Sequence, residues 1–268
     1  GLANREESYW NTDPNNPDTD GDGYLDGEEV ASDHDPLKPG PNDKLPTPHT
    51  VNITDKISTL MAAGLYAGDL KADSDPAVYN KALADISVEL LVDGAQALSP
   101  DNIPVEKPVF SSDSKKDQEA YLSAVGEIIQ TELWGKLVNE PRMAAARVTD
   151  LFSENPEATD ECQKYFISYA DHYQNVIKKV NAVPVPPSWF DIHQQILSGV
   201  QTLAVNHQAL SRANEDPLKS LLAINNLMAM YQDTQPILVA ITQKIKQNKL
   251  NPPNGQLWAL INSLTNGI

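Results

Sequence analysis

The sequence is almost without cysteine. Cys162 is the single one in 268 residues, so no intramolecular disulfide can staple the fold. Long apolar runs are missing as well, and no stretch has the ~18 or more apolar residues of a membrane-spanning helix. Bases are scarce. Twenty Lys and Arg face 37 Asp and Glu, a net charge of −17, which argues against nucleic acid or an anionic membrane surface as the main partner. Catalytic signatures are absent too: no His-Glu-x-x-His, Gly-x-Ser-x-Gly, phosphate loop or dinucleotide fingerprint occurs, and no enzymatic activity is expected. Neither an initiator Met nor a signal peptide is visible, which leads to the expectation of a mature, exported chain.

What is present is unevenly spread. Residues 1–45 hold 12 acids (Glu6, Glu7, Asp13, Asp18, Asp20, Asp22, Asp26, Glu28, Glu29, Asp33, Asp35, Asp43) against Arg5, Lys38 and Lys44, a charge of −9 in the first sixth of the chain. Such a concentration either stays disordered or is neutralised by cations. Composition separates three zones. Residues 1–36 are acidic and turn-rich. Residues 37–50 are proline-rich and read as a semi-rigid linker. Residues 51–268 show helical periodicity almost throughout.

Within that third zone helices are expected at about 54–69 (capped by Thr54 or Asp55), 76–98, 114–138, 141–152, 156–180, 188–213, 216–249 with a kink near Pro236, and 254–264. Pro76 suits a first helical turn. Pro184, Pro186 and Pro187 force a break, and Ser188 with Asp191 reads as a capping box. No segment has convincing period-two alternation. The fold class is therefore mainly α: a bundle of seven or eight helices behind a small module with little regular structure.

The acidic zone carries the chemistry. Calcium takes six to eight oxygen ligands at roughly 2.3–2.6 Å. A twelve-residue loop supplies them when carboxylates fall at its first, third, fifth, ninth and twelfth positions and the seventh offers a backbone carbonyl. Residues 18–29 place Asp18, Asp20, Asp22, Asp26 and Glu29 at those positions, with Tyr24 for the carbonyl. Gly23 fills the sixth, where positive φ is needed, and Leu25 the eighth, where an aliphatic anchor is usual. A merely solvated acidic turn has no reason to put Gly at the sixth position and Glu at the twelfth. Magnesium fits less well, because it demands tighter octahedral geometry. Two Asp-Pro-x-x-Pro units, at 13–17 and 35–39, bracket the loop 22 residues apart and form a weak repeat.

The entry to the loop, Asp13-Pro14-Asn15-Asn16-Pro17, cannot be the long helix of an ordinary EF-hand, and the exit is short. The whole pattern over residues 12–39 resembles the thrombospondin type 3 repeat of bacterial surface proteins. That resemblance implies calcium held by Asp18, Asp20, Asp22, Tyr24, Asp26 and Glu29, with Asp13, Asp33 and Asp35 as candidates for a second ion. It also implies an extracellular or cell-surface setting, where millimolar calcium keeps a structural site filled. The helical region resembles no family.

His193 and His207 share a stripe with Phe190, Leu197, Val200 and Ala204, which marks a helix core face more than a catalytic pair. Gly64 and Gly68, four residues apart, point to tight packing, and Cys162 to a small buried hydrophobe. These readings lead to an exported calcium-binding structural protein. It is expected to assemble with copies of itself into a filament or surface layer through its N-terminal module. The alternative is a monomeric surface adhesin or ligand-binding protein with a calcium-stapled linker.

Overall fold

The computed structural model describes residues 2, 4–32, 34–45, 52–232, 235–251 and 258–259. The helices in chain order are α1 (Asn4–Trp10), α2 (Asp26–Ala31), α3 (Ile53–Ala67), α4 (Pro76–Ala97), α5 (Lys115–Ile128), α6 (Gly135–Leu151), α7 (Pro156–Asn181), α8 (Phe190–Leu210), α9 (Pro217–Gln232) and α10 (Gln235–Gln247). No strand occurs among the described residues, where the β-structure amounts to isolated bridges, His34 to Lys44 and Phe110 to Val185. The fold is mainly α, as the periodicity implied.

Two compact units divide the chain. The first combines residues 1–97 with 215–219, and the second holds 98–214 and 220–268. The boundary between units therefore falls at Ala97–Leu98 and not in the proline-rich stretch. The reason is local: α1 packs on α3, and Lys56 Nζ lies 5.7 Å over the Tyr9 ring. Residues 37–45 are likewise no extended strut. Asp35 N–H donates to Asp43 O at 2.8 Å and Gly40 N–H to Asp22 Oδ2 at 2.9 Å, so the chain doubles back onto the acidic loop. The remainder of the expected linker, 46–50, lies outside the described residues.

Helix α3 begins at Asn52, whose side chain accepts from Asp55 N; the expected caps Thr54 and Asp55 sit inside the first turns. Its apolar stripe, Ile53, Ile57, Leu60 and Ala63, is buried. Gly68 ends it with φ 98°, the left-handed conformation that glycine adopts freely, and its N–H donates to Gly64 O. A Cβ on Gly64 would come within 2.8 Å of Leu70 Cδ1. The two glycines thus serve a helix end and close packing within the chain. Lys56 joins α3 to α4 through Asp93 at 2.6 Å and Glu89 at 2.8 Å. Burial disfavours its ammonium form, but those carboxylates more than offset this and raise its pKa.

The second unit centres on α7 against α8. Phe166, Tyr173, Trp189, Leu197 and Leu210 are fully buried, each worth about 1.5–3 kcal/mol of apolar burial. The expected helices 114–138 and 141–152 are one rod, because α5, a π-helical turn over Ile129–Trp134 and α6 follow without a gap. A proline weakens an exposed helix, but tertiary packing of Ala144 and Leu151 holds α6 through position 141. Ser188 does not cap α8; its N–H donates to Asp113 Oδ1 at 3.0 Å. The long helix expected at 216–249 is described as α9 and α10 on either side of residues 233–234, which lie outside the described residues. The final helix expected at 254–264 lies outside the described residues except for Trp258 and Ala259.

Asp216 is the buried polar group on which the first unit closes. Its carboxylate accepts from Ile53 N at 2.9 Å, Thr54 N at 3.0 Å and Thr54 Oγ1 at 2.7 Å. It satisfies two orphan N–H groups of α3 and complements the positive end of that helix. Asp216→Ala leaves those donors without an acceptor and is expected to destabilise the first unit by about 2–3 kcal/mol. Urea unfolding of the full chain checks this as a lowered midpoint.

Candidate metal centre

The loop 18–29 is built by carboxylates that accept from the backbone just ahead of them. Asp18 accepts from Gly21 N at 2.9 Å and Gly23 N at 3.1 Å. Asp20 accepts from Asp22 N at 3.1 Å, and Asp22 from Tyr24 N at 3.0 Å. Gly23 has φ 102° and Gly21 φ 79°, as the sixth position requires and as the turn before it needs. One oxygen each of Asp18, Asp20 and Asp22 lies within 4.8 Å of the others. Helix α2 then carries Glu29 inward, 4% exposed.

The remaining expected positions behave differently. Both Asp26 oxygens accept from Thr19, from its N–H at 2.7 Å and its Oγ1 at 2.8 Å. Asp26 thereby braces the loop, and its oxygens, like the hydrogen-bonded oxygens of Asp18 and Asp22, keep a lone pair for a cation. Leu25 is 39% exposed, so the anchor expected there is supplied by Asp26, whose N–H also donates to Pro17 O at 2.9 Å. The Tyr24 ring is exposed; only its carbonyl enters the ligand scheme.

For a second ion the structure brings no group together among the described residues. Asp13 Oδ1 accepts from Asn15 N, and Asp35 Oδ1 from Leu37 N. Each closes the turn of its own Asp-Pro unit, with Asn16 N–H to Asp13 O and Lys38 N–H to Asp35 O. Asp33 lies outside the described residues. The weak repeat is thus a structural one, and it extends further back than the sequence showed. Thr12 N–H donates to Glu7 O as His34 N–H does to Glu29 O, again 22 residues apart. Residues 4–17 therefore repeat the second half of the calcium unit, with Glu7 where Glu29 stands.

The donor set fits a hard cation. Asp20 Oδ2, both Glu29 carboxylate oxygens and Asp43 Oδ1 are buried without a hydrogen-bond partner. Buried carboxylate oxygens in that state are costly unless a cation faces them. Burial first, then the charges of Asp20, Asp22, Asp26 and Asp43, push the Glu29 carboxyl up to about 7. Burial and neighbouring aspartates raise Asp20 too, whereas N–H groups of Tyr24 and Gly40 lower Asp22. All-oxygen donors on a flexible loop suit calcium, and Asp18, Asp20, Asp22, Asp26, Glu29 and the Tyr24 carbonyl are the groups that would hold it. Asp43 was legible in the sequence only as charge. Its place beside the loop depends on the return of residues 34–45, which spacing could not reveal.

Residues 18–39 match the bacterial TSP3 repeat. A repeat of this type points to a calcium-binding, extracellular protein. No curated protein and no solved structure matches the chain.

Protons and calcium compete at Glu29. With its carboxyl raised from 4.5 to about 7, the metal-free loop holds a proton between those values that the unfolded chain does not. Its stability without metal therefore falls as pH rises through that window. Calcium needs the ionised form, so binding at pH 6 is expected to release about one proton per ion and at pH 8 almost none. Calorimetric titration in two buffers of different ionisation enthalpy measures the difference.

Proposed function

We propose that the protein is an exported, calcium-stabilised structural subunit that assembles with copies of itself into a filament or surface layer through its N-terminal unit. The observation that carries this reading is an apolar surface on that unit. On α4, Val88, Leu91 and Val92 are all exposed, Leu91 at 62%, and on α3 Tyr66 is 90% exposed beside Leu65. On α4 the i, i+3, i+4 spacing puts its three residues on one exposed helix face, which favours protein contact over solvent. The calcium loop belongs to the same unit, in which α1 packs on α3. Calcium at millimolar concentration would keep that unit in one shape for docking. The burial of His193 and His207 among core side chains supports a structural role for these two histidines.

The competing reading, a monomeric adhesin, needs a partly polar ligand pocket. One cleft of the second unit, among the described residues, is lined by Tyr121, Val125, Trp189, Ile196, Ile241 and Trp258. That apolar lining favours assembly over recognition of a soluble polar ligand.

Light scattering with and without a chelator tests the proposal. Particles larger than a monomer are expected in calcium and monomers after chelation. Leu91→Asp should remain monomeric in calcium while its helical circular dichroism is unchanged. A chain that stays monomeric in calcium at all concentrations rejects the assembly. Asp20→Ala or Glu29→Ala is expected to disorder residues 12–36 and leave the second unit folded, visible as protease sensitivity near the N-terminus alone.

A further inference from the structure

Asp43 lies beyond the matched repeat, yet it is among the most buried carboxylates of the first unit. It is 3% exposed, and its Oδ1 has no hydrogen-bond partner. The position where a Cβ of Gly40 would stand lies 3.3 Å from Asp22 Oδ2 and 3.6 Å from Asp43 Oδ1. Asp43 thus faces the loop that Asp22 belongs to, and its charge is felt at Glu29. Three contacts hold it there. His34 Nδ1 is 2.9 Å from Asp43 Oδ2, Asp43 O accepts from Asp35 N, and His34 bridges Lys44 in antiparallel fashion. Glu29, whose charge interacts with that of Asp43, is also unpartnered and more than nine-tenths buried.

We propose that Asp43 is a direct ligand of the calcium ion, supplied from outside the twelve-residue loop. His34 positions it. Asp43 adds to the carboxylates of the loop, Asp18, Asp20, Asp22, Asp26 and Glu29. The peptide N–H of Gly40 on Asp22 and the carboxylate of Asp43 together tie residues 34–45 to the bound ion. Calcium would fold the segment that follows the repeat as well as the repeat itself. This inference rests on the calcium reading above.

The test uses the full chain loaded with terbium, which replaces calcium at oxygen sites and whose luminescence lifetimes in light and heavy water count bound waters. Asp43→Ala is expected to add one water to the ion and to weaken calcium binding by about tenfold or more. Asp35→Ala perturbs the same turn without removing a ligand and should leave the water count unchanged. An unchanged count and affinity in Asp43→Ala overturn the proposal, as does an equal rise in Asp35→Ala. Asp20→Ala separates the two levels of the argument. If it too leaves binding intact, the loop is no calcium site. If it alone impairs binding, only the role of Asp43 fails.

Discussion

Like charges brought close in a partly dry environment repel strongly. Two carboxylates about 5 Å apart repel by about 3 kcal/mol at an effective dielectric near 20, and Asp18, Asp20 and Asp22 put three oxygens within 4.8 Å of one another. Glu29 and Asp43 add two more carboxylates with unpartnered buried oxygens. The backbone hydrogen bonds that shape the loop end on those same carboxylates, so turn geometry and charge cannot be separated. Either a cation or a proton must settle the balance. The course of residues 34–45 depends on it as well, because their contacts with the loop run through Asp22 and Asp43.

The module has almost no apolar core of its own. Its support is polar and repetitive: each Asp-Pro unit closes with the same pair of hydrogen bonds, and Thr19 is clamped by Asp26. Its apolar anchoring comes from α1 on α3; within α1, Tyr9 and Trp10 meet edge to face at 5.0 Å between ring centroids. The single cysteine plays no part. Cys162 is fully buried in the second unit with its thiol on Arg147 O, and burial raises its pKa to about 11. A low-pKa, accessible thiol would be the reactive kind; this one is packing.

Much of this was legible in the sequence because it is local. Loop positions 1, 3, 5, 6 and 12 are set by neighbours a few residues away, and Asp18, Asp20, Asp22, Gly23 and Glu29 stand where spacing placed them. Helix periodicity placed α3, α4 and α7 within a few residues, because their buried stripes repeat at helical spacing. What escaped was non-local. Asp43 comes beside the loop through a chain reversal. Helix α6 continued through a proline because Ala144 and Leu151 are buried. The unit boundary moved to Ala97 because α1 found α3, which composition alone does not record.

Asp216 carries a different kind of consequence. It meets Thr54 across 162 positions of sequence, and closing a loop of that length costs about 4.5 kcal/mol of chain entropy before any constant term. The calcium loop closes over twelve residues and can form as soon as it is free in solution with its ion. The N-terminus of α3 must wait for the last fifth of the chain. During synthesis or refolding, the beginning of this molecule is therefore among the last parts to be finished, although it holds the most local of its sites.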